Sequence, residues 1–187
     1  MGLIMHINGW PGCGKLTIAR LLAKQLGARL VDNHALINPA ECLFARNDAN
    51  YWPLRKAVRA LAFEYAARLA PGTPLVFTDA LADIASDRAV FDDCLELASK
   101  RGAKLIAVVL ECEEEENLRR LTAGGRAEQL KLTDEKVLRD LRAKYRLLRP
   151  TDVTCIDLEV SALPAGEVAA ALHRHCTQAL ADPASLP

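Results

Sequence analysis

The sequence predicts an α/β fold, a three-layer doubly wound parallel sheet of five strands, on three observations. Short apolar runs alternate with helix-length segments along most of the chain. The runs are apolar at nearly every position rather than at every second one, which is the pattern of strands buried on both faces. The first run leads straight into a glycine-rich turn and then an amphipathic helix. In such folds ligands bind beyond the carboxyl ends of the strands, so the residues that follow each strand are the candidates for function.

Taken in order, the strands are expected near Leu3–Asn8, Arg29–Asp32, Pro74–Thr78, Lys104–Leu110 and Val153–Leu158. Ile18, Leu21, Leu22 and Leu26 form one apolar stripe at helical spacing, closed by Gly27 as a C-cap. Leu54, Ala57, Val58, Leu61 and the run Phe63 to Leu69 mark a second helix, ended by Pro71-Gly72. Further helical patterns cover about Asp83–Lys100, Glu113–Thr122, Asp134–Leu148 and Pro164–Ala179. No repeat, low-complexity tract or Gly/Ser linker divides the chain, so one domain is expected over residues 1–180, with 181–187 as a loose tail.

At 187 residues and 51% hydrophobic composition the chain has enough apolar material for one sizeable core without staples. The charges balance, 24 Lys+Arg against 24 Asp+Glu, which argues against broad electrostatic binding to nucleic acid or to an anionic membrane. The longest purely apolar run, Leu105–Leu110, is too short to span a bilayer. The first residues carry no leader pattern, and Cys13, Cys42, Cys94, Cys112, Cys155 and Cys176 show no C-x-x-C spacing. Buried thiols in a reducing compartment, the cytoplasm, are therefore expected, in a monomer or homodimer.

The stretch Gly9-Trp10-Pro11-Gly12-Cys13-Gly14-Lys15-Leu16-Thr17 has the form G-x-x-x-x-G-K between a strand and a helix. Such a loop turns backbone N–H groups inward around phosphate oxygens, the helix N-terminus adds positive potential, and the lysine reaches the β and γ phosphates. Gly9, Gly12, Cys13, Gly14, Lys15, Leu16 and Thr17 are thus the expected nucleotide-binding residues. A dinucleotide fingerprint fits worse, because Thr17 stands where that motif needs its last small residue.

The loop resembles that of the P-loop small-molecule kinases, which include adenylate, shikimate and gluconate kinases and the antibiotic phosphotransferases. The resemblance implies the nucleoside-monophosphate-kinase type of fold, with strand order 2-3-1-4-5, ATP and Mg²⁺ as cofactors, and a small-molecule acceptor as partner. One position departs from the usual P-loop. The residue after the lysine, which commonly offers a hydroxyl to Mg²⁺, is Leu16, so direct ligation there is impossible. Thr17 is expected to meet the α phosphate.

Several other positions follow from this resemblance. Asp32, at the tip of strand two, is the candidate base or orienting group for an acceptor hydroxyl, with an Asx turn or helix cap as the alternative. The family's second acidic position falls on His34. Leu75-Val76-Phe77-Thr78-Asp79 has the outline of a Walker B segment, and Asp79 becomes the candidate magnesium partner through water, or else a cap for the following helix. Residues 35–70 correspond to the acceptor-binding insertion. There Arg46, Tyr51, Arg55 and Arg59 could contact an acceptor, with Arg55 the favoured substrate contact and Trp52 a structural anchor.

Residues 119–133 combine a helix end, Gly124-Gly125 and several basic groups, and look like a kinase lid. Arg120 and Arg126, backed by Arg119 and Lys131, are its candidate catalytic arginines. Arg88, the acidic run Glu113–Glu116, and His173, His175 and Cys176 are read as solvated or helix-end residues.

The expected activity is transfer of the γ-phosphate of ATP to a hydroxyl of a small molecule. The alternatives are a nucleoside monophosphate kinase and a nucleotide-binding regulatory or ATPase module with little transfer.

Overall fold

The computed structural model describes residues 2–122 and 132–181. The order of elements is β1 (Gly2–Gly9), α1 (Lys15–Leu26), β2 (Arg29–Asp32), α2 (Asn33–Leu43), α3 (Tyr51–Ala67), β3 (Leu75–Asp79), α4 (Ala85–Arg101), β4 (Ala103–Glu111), α5 (Glu114–Leu121), α6 (Glu135–Lys144), β5 (Thr154–Glu159) and α7 (Ala165–Ala181). All five strands are parallel, in the order β2-β3-β1-β4-β5. This is the sheet the sequence predicts. It puts the two strands flanking β1, β3 and β4, on either side of the glycine-rich turn.

The near-continuous apolar runs are explained by burial on both faces. Leu3, Met5 and Ile7 point to one side of the sheet and pack with Ile18, Ala19 and Leu22 of α1 and Val168, Ala169 and Leu172 of α7. Ile4, Leu75 and Phe77 point to the other side, against Leu36 of α2, Phe63 of α3 and Phe91, Cys94 and Leu97 of α4. Because strand side chains alternate, each half of a run feeds a different core layer. No described helix is long and apolar enough to cross a membrane.

Two helices differ from the sequence reading. The insertion after β2 contains an unpredicted helix, α2, that starts at once at Asn33: the Asp32 carboxylate caps it by accepting the His34 N–H at 2.9 Å. Pro39 inside this segment hides the helical pattern. In the second case α6 ends at Lys144 rather than near 148, because Tyr145 turns extended. Leu147 then bridges to Ala82, and the Leu148 N–H donates to Leu81 at 3.0 Å.

Two buried polar side chains join these segments. Asn8, at the end of β1, donates to the carbonyls of Leu81 and Leu148 at 2.9 and 3.2 Å and accepts from the N–H groups of Gly9 and Leu81 at 2.9 and 2.7 Å. Its full hydrogen-bonding capacity is used. Arg101, the last residue of α4, donates to the carbonyls of Ala66, Leu69, Ala70 and Thr73 at 2.7 to 3.1 Å. It ties the C-terminal end of α3 and the turn that follows it to α4.

Candidate active site

The turn after β1 takes a conformation that only glycine accommodates at two points. Gly12 and Gly14 have φ of 93° and 94°. At Gly9 the constraint is space: a Cβ would stand 2.7 Å from the Cys13 sulfur and 2.9 Å from the Leu110 carbonyl oxygen. The Lys15 ammonium arches back over the loop and donates to the carbonyls of Gly9 and Trp10 at 2.6 and 2.9 Å. The N–H groups of residues 15–17 open α1 and have no i−4 partners, so they and the helix dipole face the space above the loop. Cys13 is a buried filler of this turn, as its small size suggests.

Above the loop lies a cleft of about 720 Å³, within the usual range for small-molecule sites. Gly12, Cys13, Gly14, Lys15, Leu16 and Thr17 form its floor. One end lies over the tips of β2 and β3, where Asp32, Asn33, His34, Arg46, Arg55 and Thr78 line the wall. The other end lies over β4 and β5, lined by Arg119, Arg120, Val160, Leu163 and Ala165. Leu132, Val137 and Leu141 add an apolar side.

The charge of this cleft is lopsided in a chain that is neutral overall. Lys15, Arg20, Arg46, Arg55, Arg119 and Arg120 contribute six cations, and among the described lining residues Asp32 is the sole carboxylate. Arg46 is paired with Glu41 and Arg119 and Arg120 with Glu116 outside the lining, which leaves the excess positive charge at Lys15, Arg20 and Arg55. The Asp32 oxygen Oδ1 caps α2, and the residue also lines the cleft. The tips of β2 and β3 are tied together by the Asn33 N–H, which donates to the Thr78 hydroxyl at 3.3 Å. His34 sits beside Asp32, with its Nδ1 3.3 Å from the Asn38 side-chain oxygen.

Arg55 lies 5.2 Å from the centre of the Trp52 ring and makes no ion pair with a carboxylate among the described residues. Trp52 is 58% exposed and not a core anchor, contrary to expectation; Tyr51, wholly buried, fills that place. The Tyr51 hydroxyl donates to Glu41 at 2.7 Å, and Arg46 pairs with the same carboxylate at 2.6 Å. Burial alone would raise the Glu41 carboxyl, but its bonds to Arg46 and Tyr51 outweigh it and hold the group below its ordinary range.

Asp79 requires a correction. The strand alternates, so with Thr78 facing the cleft, Asp79 faces the opposite layer. Its side chain is 3% exposed, with Oδ2 3.1 Å from His6 Nε2 and 3.6 Å from Arg59 Nη1. Burial would raise this carboxyl, yet the His6 hydrogen bond and the Arg59 guanidinium hold it below its ordinary value. Asp79 neither lines the cleft nor caps α4, whose N-cap is Ile84. It is a buried anchor for α3 through Arg59, which also bonds Asp93 at 2.8 Å and the Val90 carbonyl at 2.9 Å on α4. A histidine and an aspartate inside apolar strands were the available signal, since buried polar groups come with partners.

Arg120 pairs with Glu116 at 2.5 Å. It stands on α5 and donates to the carbonyls of Val160 and Ser161 at 3.0 and 2.8 Å, and to that of Cys13 at 3.4 Å. It lines the cleft while bracing the loop and the turn after β5. Arg126, with Gly124, Gly125 and Lys131, lies outside the described residues. Arg88 pairs with Asp83 on an exposed surface, as a solvated arginine would. Two further residues were missed: Asn117 bonds the Pro11 carbonyl at 2.8 Å, and Arg142 bonds Asn117 at 3.0 Å. No local pattern distinguishes either in the sequence.

A glycine-rich phosphate turn after β1, in a parallel sheet of order 2-3-1-4-5, defines the P-loop NTPase architecture of kinase type. The profile of one family, described as AAA domain, matches residues 6–140, more than half of the chain. The chain belongs to this family. Among curated proteins none matches. Solved structures with the same fold include a gluconokinase from Sinorhizobium meliloti 1021, 20% identical with a TM-score of 0.60, covering 96% of this chain and 95% of that one. A shikimate kinase from Acinetobacter baumannii in complex with shikimate is 20% identical with a TM-score of 0.61, covering 95% and 94%. The tunicamycin resistance protein of Deinococcus radiodurans is 21% identical with a TM-score of 0.65, covering 94% and 96%. At these identities the likeness is one of fold.

Proposed function

We propose that the protein is a phosphotransferase that moves the γ-phosphate of Mg-ATP to a hydroxyl group of a small molecule. The observation that carries this reading is the pairing of Lys15 and Asp32 in one cleft, with Asp32 the sole carboxylate among the described residues that line it. A phosphoryl acceptor hydroxyl must lose its proton as the new bond forms, and a carboxylate at that end of the cleft is the group to take it.

The loop suits a nucleoside triphosphate: inward N–H groups, a helix N-terminus without acidic residues in its first turn, and a lysine that can exchange its loop carbonyls for phosphate oxygens. The donor set suits Mg²⁺ only in one way. Leu16 offers no oxygen, and no group of three or more His, Cys, Asp or Glu residues is assembled among the described residues. Mg²⁺ commonly keeps several waters and relies on substrate phosphates plus one carboxylate, and Asp32 fits that part through water. When bound it neutralises charge on the β and γ oxygens.

Lys15 binds and orients the β and γ phosphates, Thr17 meets the α phosphate, and Asp32 takes the acceptor proton. Arg55 favours an acceptor that itself carries an anionic group, with His34 beside the reacting hydroxyl. If that anion is the acceptor itself, as in a nucleoside monophosphate kinase, no base is required.

The test is incubation with γ-labelled Mg-ATP, with and without a small-molecule cell extract, followed by separation of products, with Lys15→Met as control. Label in an extract-dependent compound supports the kinase and supplies the acceptor for identification. Label released only as inorganic phosphate supports an ATPase or sensor instead.

A further inference from the structure

A backbone turn can direct successive N–H groups at a phosphate only if the carbonyls that alternate with them find donors elsewhere. Within this loop the donors are identifiable. Lys15 serves Gly9 and Trp10 at 2.6 and 2.9 Å, and the Ile18 N–H serves Gly14 at 3.1 Å. The Pro11 carbonyl is served from outside the loop, by Nδ2 of Asn117 on α5 at 2.8 Å. Asn117 is fully buried, and its Oδ1 accepts from Arg142 Nη1 on α6 at 3.0 Å. Both bonds form only with the amide nitrogen toward Pro11 and the oxygen toward Arg142, so Arg142 fixes the amide's orientation. Asn117 also lies flush against the loop: a Cβ on Gly12 would stand 2.7 Å from its Nδ2.

We propose that Asn117 is a positioning residue for nucleotide binding. Oriented by Arg142, its carboxamide holds the Pro11 carbonyl outward and so sets the turn through Gly12 and Gly14 that leads the start of α1 toward phosphate, while the Cys13 N–H closes the loop on the Trp10 carbonyl at 3.2 Å. This rests on the reading that the loop binds nucleotide phosphates. Packing alone does not account for the arrangement, since an apolar side chain of similar size would fill the space without a bond to Pro11. α5 and α6 thereby act on the loop without either residue touching the ligand.

Asn117→Asp isolates the donation to Pro11. It is nearly isosteric, keeps the acceptor for Arg142, and sets an oxygen against the Pro11 carbonyl. Arg142→Gln is the second variant; Arg142 is half-buried, so the change leaves the core untouched. MgADP is the probe, titrated by calorimetry beside a thermal melt without nucleotide. Amide spectra of Gly12 and Gly14 add a signal that a purely structural role would leave alone. The expected result is MgADP affinity lowered about tenfold by Asn117→Asp and about threefold by Arg142→Gln. The two glycine amides should shift before nucleotide is added, with the melt of Arg142→Gln near the parent's.

If the parent binds MgADP and both folded variants bind it within twofold, the proposal is overturned and the nucleotide reading stands. If Asn117→Asp fails to fold, Arg142→Gln decides alone, by the same criterion. If the parent does not bind MgADP, the nucleotide reading fails and takes the proposal with it.

Discussion

His6 and Asp79 face each other across the β1–β3 pair, Nε2 to Oδ2 at 3.1 Å, with both side chains closed off from solvent. Arg59 reaches the same carboxylate oxygen from α3 at 3.6 Å. A motif reading that made Asp79 a metal partner is thereby replaced by one in which it secures the helix that carries Arg55 toward the cleft.

Asp79→Asn should destabilise the fold by about 3 kcal/mol at neutral pH, since it leaves the buried Arg59 charge without its interior partner. Asp79 is held below its ordinary value near 3.8, so the stability it contributes is fully present above that value. It is lost as pH falls from there through the lowered folded-state value. Urea unfolding from pH 7 down to pH 3 should show the gap between parent and variant narrowing at the acid end. A constant gap would remove the charge-based account.

Lys15→Met should lower phosphoryl transfer by about a thousandfold with the fold kept, because the Lys15 ammonium's bonds to the Gly9 and Trp10 carbonyls lie within its own loop. An unchanged rate would count against the P-loop as the phosphate site.

Asp32→Asn and Arg55→Ala separate two acceptor chemistries. For a hydroxyl acceptor, Asp32→Asn should cost about a hundredfold or more in kcat, while Arg55→Ala acts mainly on the acceptor KM. For a phosphate acceptor the order reverses, with Asp32→Asn mild and Arg55→Ala severe. Steady-state kinetics on the acceptor found in the labelling experiment decide between them. Asparagine keeps the oxygen that caps α2, so the fold is not confounded.

Arg101→Met should cost about 3 kcal/mol, because the Leu69 and Thr73 carbonyls after α3 lose the side-chain donor that serves them and those of Ala66 and Ala70 keep only a backbone N–H. Differential scanning calorimetry should record a Tm lower by roughly 6 to 12 °C. A shift of a degree or less would mean that water serves those carbonyls equally well.

The features read correctly from sequence are those governed by short-range physics. Unbroken apolar runs announce strands buried on both faces, Leu3 to Ile7 supplying both core layers. The phosphate turn is legible because its glycines, its lysine and its flanking strand and helix are contiguous. The place of Asp32 on the cleft wall is legible because it ends a strand beside that turn. The tertiary structure decided the rest. Whether Thr78 or Asp79 faces the cleft depends on the register of β3 against β1, and a shift of one residue exchanges them. Asn117 and Pro11 are far apart in sequence, as are Arg101 and Ala66, so only the packing of α5 and α4 turns them into partners. Local propensity carries no record of where a distant carbonyl will lie. The sequence by itself determined the strands and the glycine-rich turn; the fold decided which polar side chains face the cleft and which are spent inside, because those bonds form only after the layers have closed.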